Sequence, residues 1–291
     1  MILTIGMAHY DDYDGAYFSI QDIRKELVFN GREDLLNNIE FVVVDNNPNS
    51  NHGKTLEKLL RNQLPSTGSV SLVHMKDNKG TSVTRNAVIK AATGHFVLVM
   101  DCHVMLCPVL GVIEKLFKFM EDNPKTDNLY SGPLVSDNMK QVNTHFNNHW
   151  GSGMWGQWGS SFSCSCGFIF TGIKSDGCIN YRSLLPQEDI NTCPKCNTAL
   201  PKIKFFGWKK SLQERGYKEM GFSDSEEFSI PSQGLGTFFV RKESWLGFNT
   251  HCRGFGGEEG YIHEKYRRAG RDAKCLSFLK WVHRFNRPNN P

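Results

Sequence analysis

The chain has no apolar run approaching the ~20 residues that cross a bilayer, so neither a spanning helix nor a membrane partner is expected. Its first residues, MILTIGMAHYDD, carry no basic stretch and no small-residue cleavage site, and they read as an opening strand rather than a secretory leader. The nine cysteines are odd in number and clustered, unlike the framework of a disulfide-stapled secreted fold, so the expected compartment is the reducing cytoplasm. A net charge of only +4 does not by itself imply nucleic acid. Glycine-rich nucleotide signatures are missing too. After the first strand, where a dinucleotide fold needs G-x-G-x-x-G, stands Ala8-His9-Tyr10-Asp11. Gly53-Lys54-Thr55 imitates a P-loop, but the earlier glycine it requires is Pro48. Arg253-Gly254-Phe255-Gly256-Gly257 comes late and follows no strand.

What is present is an ordinary globular composition. With 39% hydrophobic and 22% charged residues over 291 positions, the chain can bury one large core and still carry an insert. Residues 2–8 read as a strand, followed by a helix capped by Asp14 with Ala16, Ile20, Ile23 and Leu27 on one face. Residues 41–44 make a second buried strand ending at Asp45-Asn46-Asn47-Pro48. Leu56, Leu59 and Leu60 mark a second helix, residues 70–75 a third strand, and residues 82–92 a helix stopped by Gly94. Strands alternating with helices predict an α/β fold with a doubly wound, mainly parallel sheet.

The stretch 96–105, FVLVMDCHVM, organises this half. Five apolar residues stop at Asp101, with His103 two positions on, as in a strand buried on both faces that ends in a turn. Ligands bind at the carboxyl ends of strands in such sheets. A carboxylate and an imidazole there can hold Mn²⁺ or Mg²⁺ with positions open for phosphate oxygens. In the plainer alternative, Asp101 caps a helix starting near Pro108 and His103 is a loop residue.

The residues at successive strand ends resemble those of the GT-A glycosyltransferases, most closely family 2. The resemblance implies a nucleotide pocket beginning at Ala8, His9, Tyr10 and Asp11, and a carboxylate, Asp45 with Asn46, on the uracil or ribose. Asn78-Lys79-Gly80 with Arg85-Asn86 is similar to the family's G-x-x-x-x-R-N segment, whose arginine approaches the base and diphosphate. Asp101-x-His103 takes the place of the usual Asp-x-Asp, as in the polypeptide N-acetylgalactosaminyltransferases. Apart from the family, a loop cap would explain Asp45 and a solvated helix face Arg85. A sugar nucleotidyltransferase shares such a sheet, but its Gly-rich, Arg-containing first loop is missing.

Residues 143–159, NTHFNNHWGSGMWGQWG, have no helical or strand period. Trp150, Trp155 and Trp158 could floor a sugar or base, or pack an Ω-like loop. Cys164-x-Cys166-Gly167 and, 26 residues on, Cys193-Pro194-Lys195-Cys196 are similar to the two knuckles of a zinc ribbon, four thiolates suiting a closed structural Zn²⁺ site. Cys178 is a spare. Residues 161–220 hold nine basic and five acidic side chains, an excess equal to the charge of the whole chain. There Lys202, Lys204, Lys209 and Lys210 interleave with Phe205, Phe206 and Trp208, as on a strand-binding surface or a solvated basic face.

The GT-A pattern resumes with a strand at 234–240. Phe255-Gly256-Gly257-Glu258-Glu259 then resembles the W-G-G-E segment of galactosyl- and N-acetylgalactosaminyltransferases and opens a helix running to Gly270. That resemblance puts Glu258 on the transferred sugar and makes Glu259 the base of an inverting enzyme; the plainer reading is two carboxylates favouring a helix start. After a last strand at 275–279, His283 is similar to the late histidine that completes the metal site in related enzymes.

The expected organisation is a GT-A domain of residues 1–159 and 233–291 around a zinc-ribbon insert of residues 160–232. The expected activity is metal-dependent transfer from a UDP-sugar to a hydroxyl. The acceptor expected is a hydroxymethylated base in DNA, as in phage genome modification in the host cytoplasm, with a glycan or protein hydroxyl second. A dead scaffold acting as a nucleic-acid-binding module is the reading from another class, against which Asp101, His103 and Glu259 stand.

Overall fold

The structure, a computed structural model, describes residues 2–62, 69–77, 80–106, 111–136, 142–146, 227–254 and 256–284, with the backbone of short stretches at 158–159, 161–163, 169–175 and 180–183, and residues 196–197. In chain order it runs β1 (Leu3–His9), α1 (Tyr13–Phe29), a short 3-10 helix (Glu33–Asn38), β2 (Ile39–Asp45), α2 (Asn51–Asn62), β3 (Ser69–His74), α3 (Thr81–Ala91) and β4 (Phe96–Asp101). Then come β5 (Val104–Leu106), α4 (Val112–Asp122), β6 (Leu129–Ser131), β7 (Leu134–Ser136), β8 (Val142–Asn143), β9 (His145–Phe146), β10 (Trp158–Gly159), β11 (Ser161–Ser163), β12 (Ile169–Ser175) and β13 (Asn180–Ser183). The chain closes with β14 (Glu227–Ser229), β15 (Thr237–Arg241), α5 (Glu258–Arg268), β16 (Ala273–Leu276) and β17 (Trp281–His283).

An 8-stranded sheet in the order β14-β16-β6-β15-β4-β1-β2-β3 carries the architecture. The half built from β4, β1, β2 and β3 is all parallel. β15 runs antiparallel between β4 and β6. Alternation along the strands splits the core between the sheet's two faces, as the strand period of two requires. Leu3, Ile5, Met7, Phe41, Val43, Phe96, Leu98 and Met100 pack with the apolar stripes of α1, α2 and α4. Val42, Val44, Val97 and Val99 pack with Val88 of α3 and Ile262 and Tyr266 of α5. Gly6 lets α3 approach, because a Cβ there would lie 2.1 Å from Val88 Cγ1.

A second sheet, in the order β5-β17-β7-β8, stands beyond the end of β4. Its β17 pairs antiparallel with β5 and parallel with β7, placing His283 opposite Val104 and Ser136. The expected strand at 275–279 starts earlier and is shorter, β16 covering Ala273–Leu276. β16 ends at Leu276, a turn closed by Leu279 N–H donating to the Leu276 carbonyl follows, and β17 starts at Trp281.

Two local expectations are corrected. Asp12, not Asp14, caps α1, its carboxylate accepting the Gly15 N–H at 3.1 Å. Gly94 is not a helix stop, since α3 is capped at Ala92 with extended ψ; Gly94 lies where a Cβ would come within 2.8 Å of the Ile2 carbonyl and Thr4. Pro108, where a helix start was expected, lies outside the described residues; α4 begins at Val112 after a left-handed Gly111, and the buried Glu26 accepts the Ile113 N–H. Among the described residues no helix is long and apolar enough to cross a membrane. β11, β12 and β13 form an antiparallel sheet within the expected insert. Cys164, Cys166, Cys193 and the lysine cluster at 202–210 lie outside the described residues, while Cys196 is exposed.

Candidate active site

Strand register assembles the site. Ala8 stands opposite Asp101 and His9 opposite Asp45, so three strands end together. His9 and Asp45 are fully buried, and the ring Nδ1 lies 2.9 Å from Asp45 Oδ1. The Asp12 backbone N–H donates to His9 Nε2, which leaves the ring proton on Nδ1, aimed at the carboxylate. Asp45 Oδ1 also accepts the Asn47 N–H, whereas its buried Oδ2 has no partner among the described residues. That free oxygen faces Gly53, where a Cβ would sit 2.6 Å from it, so the residue of the false P-loop serves as space beside a carboxylate. Asp11 turns the chain in the left-handed region at φ 48° and accepts from Asn47 Nδ2. Tyr10 points outward and is exposed; Asn46 is buried.

One guanidinium joins two of the predicted carboxylates. Arg85, buried on α3, donates from Nη2 to Asp101 Oδ1 at 2.7 Å and from Nη1 to Glu258 Oε1 at 3.4 Å. Burial alone would raise the Asp101 pKa, but the Arg85 charge and hydrogen bond hold it below the usual carboxylate range. Thr81 Oγ1 donates to the same Glu258 oxygen. Gly80, at φ 80°, precedes α3 and touches Gly254, since a Cβ on it would meet Gly254 N at 2.5 Å. The loop before α5 is thus clasped to the start of α3, and it carries Gly256 and Gly257 at positive φ. Glu259 follows, its pKa pushed up by burial and then by the charge of Glu258. Its carbonyl accepts His263 Nδ1–H at 2.6 Å, while His263 Nε2 accepts the Gln233 N–H. Burial drives His263 down to about 4, so this ring is a neutral link and not an acid.

The third cluster unites distant segments. One ligand atom from each of Asp101, His103 and His283 falls within 4.8 Å of the others. The Nε2 atoms of the two histidines are 3.1 Å apart, with rings nearly perpendicular at 82°. Cis ligands around an octahedral ion with bonds of about 2.1 Å are about 3 Å apart, so this donor set fits a divalent cation. Gly236 makes room, since a Cβ there would lie 2.8 Å from the Trp281 ring and 3.3 Å from His283 Cδ2. His103 Nδ1 lies 3.0 Å from Asp12 Oδ2, a contact between distant residues that no motif or spacing in the sequence marks.

The structure thus brings together Asp101, His103, His283, Arg85 and Glu258, with Ala8, His9 and Asp45 on adjoining strand ends. It leaves Tyr10 outward. Trp150 and Trp155 lie outside the described residues, and of Trp158 only the backbone is described.

Comparison with known proteins agrees with the fold. The family model described as Glycosyl transferase family 2 matches residues 11–176. The chain is similar in fold to GalNAc-T7, solved with UDP, GalNAc and Mn²⁺ (TM-score 0.54, 12% identity, 97% of this chain and 44% of that one). It is also similar to the mannosyltransferase PcManGT from Pyrobaculum calidifontis, solved with GDP-Man and Mn²⁺ (TM-score 0.53, 14% identity, 99% and 58%). S. aureus TarS 1-349 gives a TM-score of 0.51 at 12% identity, over 97% and 60%. At these identities the likeness is one of fold, GT-A-like, and the chain spans about half the length of these structures. Comparison with curated proteins gives no match.

Proposed function

The chain belongs to glycosyl transferase family 2, and from that premise we propose that it moves a sugar from a UDP-sugar to an acceptor hydroxyl, with inversion. The observation that carries this reading is the convergence of Asp101, His103 and His283 beside Asp45 and Arg85 at the carboxyl ends of the strands. A divalent cation, Mn²⁺ or Mg²⁺, held by those three side chains would neutralise the diphosphate as it leaves.

The chain's own groups do the rest. Ala8, His9, Asp45, Asn46 and Gly80 border the nucleotide, with the free Asp45 oxygen an acceptor for an N–H of the base or a hydroxyl of the ribose. Arg85 keeps Asp101 ionised and, through Glu258, fixes the loop that meets the transferred sugar. The acceptor oxygen attacks the anomeric carbon, the bond to the diphosphate breaks on the opposite face, and the acceptor proton passes to Glu259. Glu259 stands at the first turn of α5, where the helix dipole favours the carboxylate, while burial and Glu258 raise its basicity.

The acceptor we favour is a hydroxymethylated DNA base. Support for it lies in the sequence of the proposed insert, residues 160–232, with Cys164, Cys166, Cys193 and Cys196 as ligands of a structural Zn²⁺ and a flank that alternates cations with aromatics. Residues 1–159 and 233–291 then form the transferase body. Mass-detected transfer from a panel of UDP-sugars to hydroxymethylated DNA, plain DNA and glycan acceptors tests this. Transfer confined to the hydroxymethylated DNA is expected, and transfer to glycans alone would overturn the DNA acceptor while leaving the transferase reading in place.

A further inference from the structure

We infer that Asp12 is a positioning residue for the cation site, setting the tautomer of His103 while it caps the helix that anchors the His103 segment. The inference rests on the reading of Asp101, His103 and His283 as cation ligands.

A neutral imidazole has one N–H and one lone pair, and a ligand must present the lone pair to the ion. His103 turns Nε2 toward His283 and Nδ1 toward Asp12 Oδ2, at 3.1 and 3.0 Å. A carboxylate only accepts, so Asp12 holds the ring proton on Nδ1 and leaves the lone pair on Nε2, the atom beside the other two ligands. Side chains of both residues are largely shielded, 11% exposed for Asp12 and 16% for His103, so water competes poorly for this contact.

Asp12 is itself held in place. Its Oδ1 accepts the Gly15 N–H at the start of α1. Gly15 lies directly beneath, since a Cβ there would come within 2.5–2.7 Å of the Asp12 carboxylate. The same helix grips the rest of the His103 segment. Ser19 Oγ lies 2.6 Å from the carbonyls of Cys102 and Val104, and Asp22 accepts the Leu106 N–H. One face of α1 thus fixes both the backbone position and the ring orientation of His103.

Two substitutions separate this role from capping. Asp12→Asn keeps an oxygen for the Gly15 N–H, and its amide N–H₂ then faces His103 Nδ1. The ring must accept there and carry its proton on Nε2, the tautomer that cannot ligate. Asp12→Ser keeps the cap but is too short to reach the ring, which is left free to choose. Mn²⁺ binding, followed by EPR of the free ion on the full chain, should weaken in the order wild type, Ser, Asn, with the Asn loss about 10–100-fold. Thermal midpoints should stay within a few degrees, because both residues are good caps. In a His103→Ala background, Asp12→Asn should change Mn²⁺ affinity no further. If Asn binds Mn²⁺ as wild type does, or if the loss persists without His103, the role of Asp12 is overturned and the cation site stands. If wild type binds neither Mn²⁺ nor Mg²⁺, the cation site falls and the inference with it.

Discussion

His103 and His283, 180 residues apart in the chain, present their Nε2 atoms to each other across 3.1 Å. The contact exists because β17 lies alongside β5, and because the Arg284 N–H donates to the His103 carbonyl, locking the two segments together. His283 sits at the end of a strand, partly exposed, so removing its ring opens no core cavity. His283→Ala should therefore keep the thermal midpoint close to wild type while Mn²⁺ titration shows weakened binding. An unchanged Mn²⁺ isotherm would remove His283 from the ligand set.

Glu259→Gln preserves shape and removes the base, so kcat should fall by ~10²–10⁴ with little change in donor affinity. The base must be ionised, and burial and then Glu258 raise its pKa, so activity should be lost as pH falls through a value above the ordinary ~4.3 of a glutamate. Glu258→Gln removes the neighbouring charge and should move that acid limb downward. The product anomer, read from NMR couplings, should be inverted. Retention, or near-normal turnover by Glu259→Gln, would assign the chemistry elsewhere.

Buried carboxyls on α1 give a stability prediction of a definite sign. Burial first, offset in part by hydrogen bonds, pushes Glu26 up to about 7 and Asp22 to about 6. Between the unfolded value of ~4.3 and about 7 the folded chain binds more protons at Glu26 than the unfolded one, so stability drops as pH rises through that window. Glu26→Gln keeps an acceptor for the Ile113 N–H and has no proton to lose. Relative to wild type it should gain on the order of 1–3 kcal/mol at pH 8 and little at pH 4. Thermal melts at the two pH values check it, and a gain independent of pH would show that Glu26 does not titrate on unfolding.

Packing between β1 and α3 can be probed through Gly6. Gly6→Ala places a methyl 2.1 Å from Val88 Cγ1 and should destabilise by ~1–3 kcal/mol through overpacking. Val88→Ala in the same chain should recover part of that loss in urea melts, since the added methyl fills space the valine vacates. Additive losses would mean the backbone, not Val88, resists the methyl.

Much of this site was legible in the sequence because an open sheet gathers its strand ends. An apolar run that stops at Asp45 or Asp101 announces a strand end, and parallel register then brings those ends together without further information. The GGE segment and His283 were legible by resemblance. What was not legible depends on three-dimensional crossing. The sequence reads Asp14 as the cap of α1, and only the fold shows that Asp12 caps it with one oxygen and reaches His103 with the other. Resemblance places Arg85 toward the nucleotide, and only the fold adds that its guanidinium spans Asp101 and Glu258, from segments far apart in sequence. Gly94 reads as a helix stop because glycine favours left-handed caps, but here it is small for the sake of close packing against β1.

The most direct test of the central claim is release of UDP from UDP-sugars with and without a divalent cation, compared between wild type and Asp101→Ala. The account predicts turnover by wild type in Mn²⁺ or Mg²⁺, loss of it in EDTA with recovery on adding the ion back, and none from Asp101→Ala at any cation concentration. Full turnover in EDTA, or wild-type turnover by Asp101→Ala, would contradict it.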